Sequence, residues 1–210
     1  MNMRLGKLIF LLGLIGITVL MLAASEGVGR TTRVVKTVDL LRGKSTVPLK
    51  EQDAIAENDR IRTQSSGRAR VVLTDGSILS IGASTLFTLK SATANSRAGS
   101  LEMAYGRIRA EIVARVANRR SFEVRTSTAV CGVLGTTVFL DASRDLTRIA
   151  NLSDDADSLV RVVSTDARAQ GEVTLRPGEG TSVPARGAPQ PPRRWSVEEV
   201  RAAQQDTLVP

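Results

Sequence analysis

Histidine is absent from the 210 residues, and cysteine occurs once, at Cys131. Without histidine no imidazole is available to activate a serine or a thiol, and every His-containing zinc or iron site is closed. With one thiol no intrachain disulfide can form, so the fold must stand on its own core. A lone cysteine inside an apolar run reads as a small buried hydrophobe. Carboxylate-type metal sites stay open in principle, but the cluster Asp154, Asp155 and Asp157 lacks both the spacing and the closing glutamate of an EF-hand loop. It reads as a polar turn. No metal ligand, cofactor or catalytic residue is assigned, and with no activated-nucleophile constellation an enzyme is not expected.

Aromatics are scarce as well, at 3%. Phe10 lies near the N-terminus and Trp195 near the C-terminus, which leaves Phe87, Tyr105, Phe122 and Phe139 for the body. The core must therefore come from Val, Ile, Leu and Ala. The same shortage removes the stacking platforms that single-stranded nucleic acids need, so nucleic acid is not an expected partner.

What the chain does have is positive charge, a net +8 at pH 7, which favours anionic partners. It also has a leader. Met1, Arg4 and Lys7 precede an apolar run from Leu8 to Leu22, and Ala23-Ala24-Ser25 supplies small residues for cleavage after Ser25. Residues 1–25 are thus expected to be a signal peptide, and the product to be periplasmic or secreted. The competing expectation is an uncleaved anchor of residues 8–24 in the inner membrane, a length near the lower limit for a span. Either way about seven residues would remain on the cytoplasmic side.

From 34 to 183 the chain reads as strands and turns, an all-β domain in the form of an antiparallel sandwich or a roll. Val34–Val38 is one β-branched run. Arg70–Leu73 and Ile78–Ile81 flank Asp75-Gly76, a hairpin signal for a type I′ turn that would set Leu73 opposite Ile78 and Val72 opposite Leu79. Gly99–Gly106 and Arg107–Ile112 read as two strands with a turn at Gly106. Further strands are expected around Leu86–Leu89, Phe122–Thr126, Thr136–Leu140, Leu146–Ile149, Leu159–Val163 and Val173–Leu175. Residues 184–194 read as an extended, mobile Pro-rich linker. Residues 195–205 follow as a short C-terminal helix, with Ser196 and Glu199 as a capping box and Trp195 and Val200 as its hydrophobic staple.

The order of motifs is similar to that of a known family. Asn58-Asp59-Arg60-Ile61-Arg62-Thr63 is followed by Gly67-Arg68-Ala69 and Asp75-Gly76-Ser77. Then come Gly106-Arg107-Ile108, Phe122-Glu123-Val124-Arg125-Thr126, Ala129 through Thr136 with its Gly132-Val133-Leu134-Gly135-Thr136, and Leu175-Arg176-Pro177-Gly178-Glu179. The series resembles the FecR domain, an all-β extracytoplasmic module. Within it Gly76 is expected at positive φ, Gly132 and Gly135 at a tight corner where another backbone comes close, and Thr136 as a cap of that corner through its hydroxyl. The name-giving members grip a sigma factor with a cytoplasmic segment. About seven residues are too few for that, since an isolated helix needs roughly 12. The resemblance therefore implies a stand-alone outer domain, a non-catalytic binding or sensory module that meets an envelope or other extracytoplasmic protein through edge strands or loops. The alternative expectation is a binder of anionic envelope polymers or lipid surfaces. It rests on Arg107, Arg109, Arg115, Arg119 and Arg120, offset by Glu111, with Arg107 and Arg109 on one strand face and Ile108 on the other.

Overall fold

A computed structural model describes residues 27–91, 99–113, 122–169 and 171–210. The N-terminal strands are β1 (Gly29–Val35), β2 (Val38–Arg42), β3 (Ser45–Pro48), β4 (Ala54–Ile55), β5 (Arg60–Thr63), β6 (Arg68–Leu73), β7 (Ile78–Ile81) and β8 (Thr85–Ser91). A long central strand, β9 (Ser100–Glu111), follows. The C-terminal strands are β10 (Phe122–Arg125), β11 (Ala129–Val133), β12 (Thr137–Ala142), β13 (Leu146–Asn151), β14 (Val160–Ser164), β15 (Glu172–Leu175), β16 (Glu179–Pro184) and β17 (Arg193–Arg194), and the helix α1 (Val197–Asp206) ends the chain.

The all-β class expected from the sequence is what the structure holds: one open sheet folded into two layers. Layer A runs β4-β1-β6-β7-β9-β12-β13-β16-β17. Layer B runs β3-β2-β5-β8-β9-β10-β11-β14-β15. The pairings are antiparallel except that between β9 and β10. The inward-facing residues of both layers form one core, with Ile61, Phe87, Leu101, Val124 and Val162 from layer B meeting Val71, Leu79, Ile108, Leu140 and Ile149 from layer A. Its side chains are mostly aliphatic, as the aromatic shortage requires. Cys131 lies in it fully buried, and burial pushes its thiol up to about 12.

The stretch read as two strands turning at Gly106 is a single strand that belongs to both layers. Residues up to Tyr105 pair with β8; residues from Gly106 on pair with β12. The bend falls at Gly106, where φ is +105° and an added Cβ would lie 2.3 Å from Thr85 Oγ1. No side chain fits there, and the same threonine oxygen accepts the Arg107 N–H at 2.9 Å. The Val34–Val38 run is likewise split. Lys36, at φ +55°, turns the chain from β1 in layer A to β2 in layer B.

The Asp75-Gly76 hairpin is present with a register one residue away from the expected one. Gly76 N–H donates to Leu73 O at 2.9 Å, and Leu73 N–H donates to Ser77 O at 2.8 Å, so the loop is longer than a two-residue turn. Asp75 Oδ1 accepts the Ser77 N–H at 2.9 Å, and Gly76 alone in the loop takes positive φ, at +88°. Val72 thus opposes Ile78 and Val71 opposes Leu79. This register sends Val71, Leu73, Leu79 and Ile81 inward together, where a one-residue slip would have turned a whole face to solvent.

The Pro-rich stretch does not hang free. Gln190 N–H donates to Ser182 O at 2.9 Å, Thr181 Oγ1 donates to Gln190 O at 2.6 Å, and Arg193 and Arg194 pair with Gly180 and Glu179. The segment returns along β16 and delivers α1 to the outer face of layer A. Ser196 caps α1, with both arms of the capping box made.

Candidate functional site

Strand alternation places Arg107 and Arg109 on the outer face of layer A, with Ile108 buried in the core between them. Arg115, Arg119 and Arg120 lie outside the described residues. The two described arginines are engaged within the chain. Arg107 pairs with Asp141 of β12 and Asp206 of α1, each at 3.3 Å, and Arg109 pairs with Glu111 at 3.4 Å. They belong to two neighbouring cross-strand rows. One is Arg70, Ser80, Arg109, Phe139, Ala150 and Gly180. The other holds Gly82, Arg107, Asp141, Arg148 and Ser182.

α1 lies over these rows, and its track is cut at both ends by glycine. A Cβ on Gly180 would stand 2.0 Å from Trp195 Nε1, and one on Gly82 would stand 2.6 Å from Asp206 O. Between the glycines a small apolar floor, Phe139 and Ala150, receives Trp195, Val200 and Ala203. Trp195 meets Phe139 edge-on with centroids 6.0 Å apart, and the Arg148 guanidinium sits 5.2 Å from its ring centroid, an arrangement the ring quadrupole favours.

The rest of the contact is charge. Glu199 takes Arg193 at 2.6 Å and Arg148 at 3.5 Å. The Arg193 guanidinium, with the Ser196 N–H and Arg148, holds the Glu199 carboxyl down at about 2. At the far end the last turn of α1 contains no basic residue. Arg68 from β6 serves its terminal carbonyls instead, donating to Gln205 O, Asp206 O and Leu208 O at 3.0, 2.7 and 3.2 Å. A cation at that position satisfies orphan acceptors and complements the negative end of the helix dipole. Arg33 donates to Pro210 O at 2.7 Å. The chemistry of this arrangement is that of holding an acidic, amphipathic helix.

The FecR protein family matches residues 59–155. Over that segment the chain is FecR-like. The matched segment runs from Asp59, at the start of β5, past the end of β13, and so includes β9 and the middle of both layers. Two crystal structures of a candidate anti-sigma factor from Parabacteroides distasonis ATCC 8503, at 2.50 and 1.65 Å resolution, share the fold, each with a TM-score of 0.57 at 21% identity. The match covers 70% of this chain and 64% of that one, so the chain spans less than two thirds of the length of the protein it resembles. No curated protein matches the sequence.

Within the FecR-like domain the motif residues occupy the following places. Asp75 and Gly76 form the β6–β7 turn described above. Gly135, at φ +59°, turns the chain between β11 and β12. Thr136 is buried, and its hydroxyl donates to Asn151 Oδ1 at 3.2 Å. Gly132 is different from expectation: it lies inside β11, and an added Cβ would meet only Arg161 Cβ, at 3.9 Å, so no backbone crowds it. Asp155 Oδ1 accepts the Asp157 N–H at 3.1 Å, which closes the acidic stretch as a turn.

Sequence reasoning missed two buried polar centres. Asn151 Nδ2 donates to Ser158 O at 3.0 Å and Leu175 O at 3.2 Å, while its oxygen accepts from Thr136 and from Ser153 N–H. Asp59, 1% exposed, takes Arg42 through both oxygens at 2.8 and 2.6 Å and the Ala56 N–H at 2.7 Å. A lone Asn at a strand end carries no signal for the first. The Asp59 after Asn58 in the leading motif was a signal for the second, but its partner is 17 residues away.

Proposed function

We propose that the chain is a non-catalytic extracytoplasmic binding or sensory module that contacts an envelope protein. The observation that carries this reading is the FecR match across β5 to β13. The FecR family is one of regulators that act by protein contact, and the Parabacteroides distasonis protein of the same fold bears an anti-sigma description. The N-terminal leader read in the sequence supports export or tethering. No helix among the described residues is long and apolar enough to cross a membrane. An anionic polymer or lipid surface is the second reading. It has less behind it, because Arg107 and Arg109 already hold carboxylates of the same chain.

The test is intact mass after fractionation of the source cells, followed by crosslinking in the envelope fraction. The reading expects the chain in the periplasm, the medium or the inner membrane, crosslinked to a defined protein. Recovery in the cytosol with Met1 retained would overturn it. Retention on heparin that collapses with moderate salt, without any protein crosslink, would favour the polyanion instead.

A further inference from the structure

The outer face of layer A is built to receive a helix, and its resident helix fills it incompletely. α1 has ten residues, below the roughly 12–15 at which an isolated helix becomes stable in water. Ala203 is its buried residue, while Val197 is 68% exposed. The rest of the hold is polar: ion pairs at a partly exposed surface, individually weak and screened by salt, and the arginine hydrogen bonds to carbonyls of the last turn and the C-terminus. In layer A, Arg70 Nε, Ser80 Oγ and Arg109 Nε are buried with no hydrogen-bond partner among the described residues. They stand side by side on β6, β7 and β9, in the row that continues into the Phe139 floor. Buried donors left unpaired are costly, so an occupant that supplies acceptors along this row would hold the face better than α1 does.

We propose that this face is a docking seat for an acidic amphipathic helix of a partner protein, and that the C-terminal segment 195–210 is a resident competitor which that helix displaces. The inference rests on the binding-module reading above and assigns its surface. The partner's chemistry follows from the seat. An aromatic residue sits over Gly180, as Trp195 does. An acidic residue in the first turn meets Arg148 and Arg193. A small apolar residue rests on Phe139, as Ala203 does. A second acidic residue, seven positions after the first, reaches Arg107, as Asp206 does. Further carboxylates face Arg70 and Arg109.

The seat can be tested with a fluorescein-labelled peptide of this chain's residues 195–210, added to the full chain. In the native chain the resident helix reduces apparent affinity by the fraction of time the seat is free. Glu199→Gln in the full chain removes the Arg193 and Arg148 pairs from the resident helix and leaves the seat untouched. The probe is expected to bind this variant at least about tenfold more tightly than the native chain. At saturation the amides of 197–206 in the chain should lose protection from hydrogen exchange. Gly180→Val closes the place of the tryptophan on the outer face, away from the core, and is expected to abolish probe binding. Equal probe affinity for native and Glu199→Gln chains would overturn the proposal. So would unchanged protection of α1 under saturating probe, or dimers of Glu199→Gln that exclude the probe, which would mean exchange between copies. Crosslinking of an envelope protein to native and Gly180→Val chains alike would place the contact on another face, sinking this inference and leaving the module reading intact.

Discussion

The two faces of layer A are covered in opposite ways by the same strands. Inward, Val71, Leu79, Ile108, Leu140 and Ile149 are wholly buried against layer B. Outward, one residue along, the row Arg70, Ser80, Arg109, Phe139 and Ala150 ends in the floor of Phe139 and Ala150, on which Trp195 and the buried Ala203 sit, with ion pairs around them. The inner face gains by removing apolar area from water, an effect that involves no charge to screen or titrate. The outer face gains from charge, which both conditions modulate. The first is fitted to permanence and the second to exchange.

The contrast is sharpest at neighbouring positions of β9. Ile108→Ala should lower stability by roughly 2–5 kcal/mol. Arg107→Ala, on the other face and 45% exposed, should cost no more than about 1 kcal/mol. Urea unfolding followed by circular dichroism measures both, and comparable losses would erase the distinction drawn here. A smaller but definite loss is expected from Gly106→Ala. At φ +105°, with Thr85 in the way, the alanine is strained, and the cost should exceed about 1 kcal/mol.

Trp195→Ala should barely move the urea midpoint, because α1 lies outside the core. It should instead speed hydrogen exchange in 197–206 by about tenfold or more, toward the behaviour of an isolated helix. A large drop in the global midpoint would mean that α1 is part of the cooperative core after all. The mildest probe is pH. Glu199 titrates at about 2 in the folded chain against a usual 4.5, so its folded form is the one that binds the proton less readily. Its contribution is complete above pH 4.5 and is lost as pH falls toward 2. Trp195 is the sole tryptophan, so its fluorescence should report release of α1 in that window, before the β-domain melts. Release already at pH 6 would show that another group governs the dock.

How much of this was legible in the sequence follows from the range of the interactions. Local signals read well: the capping box and staple around Ser196, the turn at Asp75-Gly76, the alternation that separates Arg107 and Arg109 from Ile108. Errors arose where two local signals competed. Gly106 carried the mark of a turn, and only the closeness of Thr85 makes it a bend inside a longer strand. In the hairpin the Asp75 carboxylate accepts the Ser77 N–H inside a loop longer than two residues, and every pair is shifted by one. The Pro-rich stretch had the composition of a linker, but its hydrogen bonds to β16 depend on a partner strand that composition cannot name. The helix seat was invisible for the same reason. Gly82, Gly180, Arg68, Arg148 and Arg193 are scattered along the chain, and their convergence is a property of layer A.

β9 carries a consequence for how the domain comes into being. It is the middle strand of each layer, and it arrives midway along the polypeptide. Until it is in place, β7 and β8 have no shared neighbour, and the strands paired to β10 and β12 have no link to the N-terminal half. Neither half of the chain can therefore complete a layer in advance of the other. The long-range pairings that β9 makes put loop-closure entropy ahead of reward, so folding should be slow for the domain's size and should occur in one step. A nascent or translocating chain would stay open to chaperones and proteases until the strands after β9 have emerged as well, and then both layers would close together.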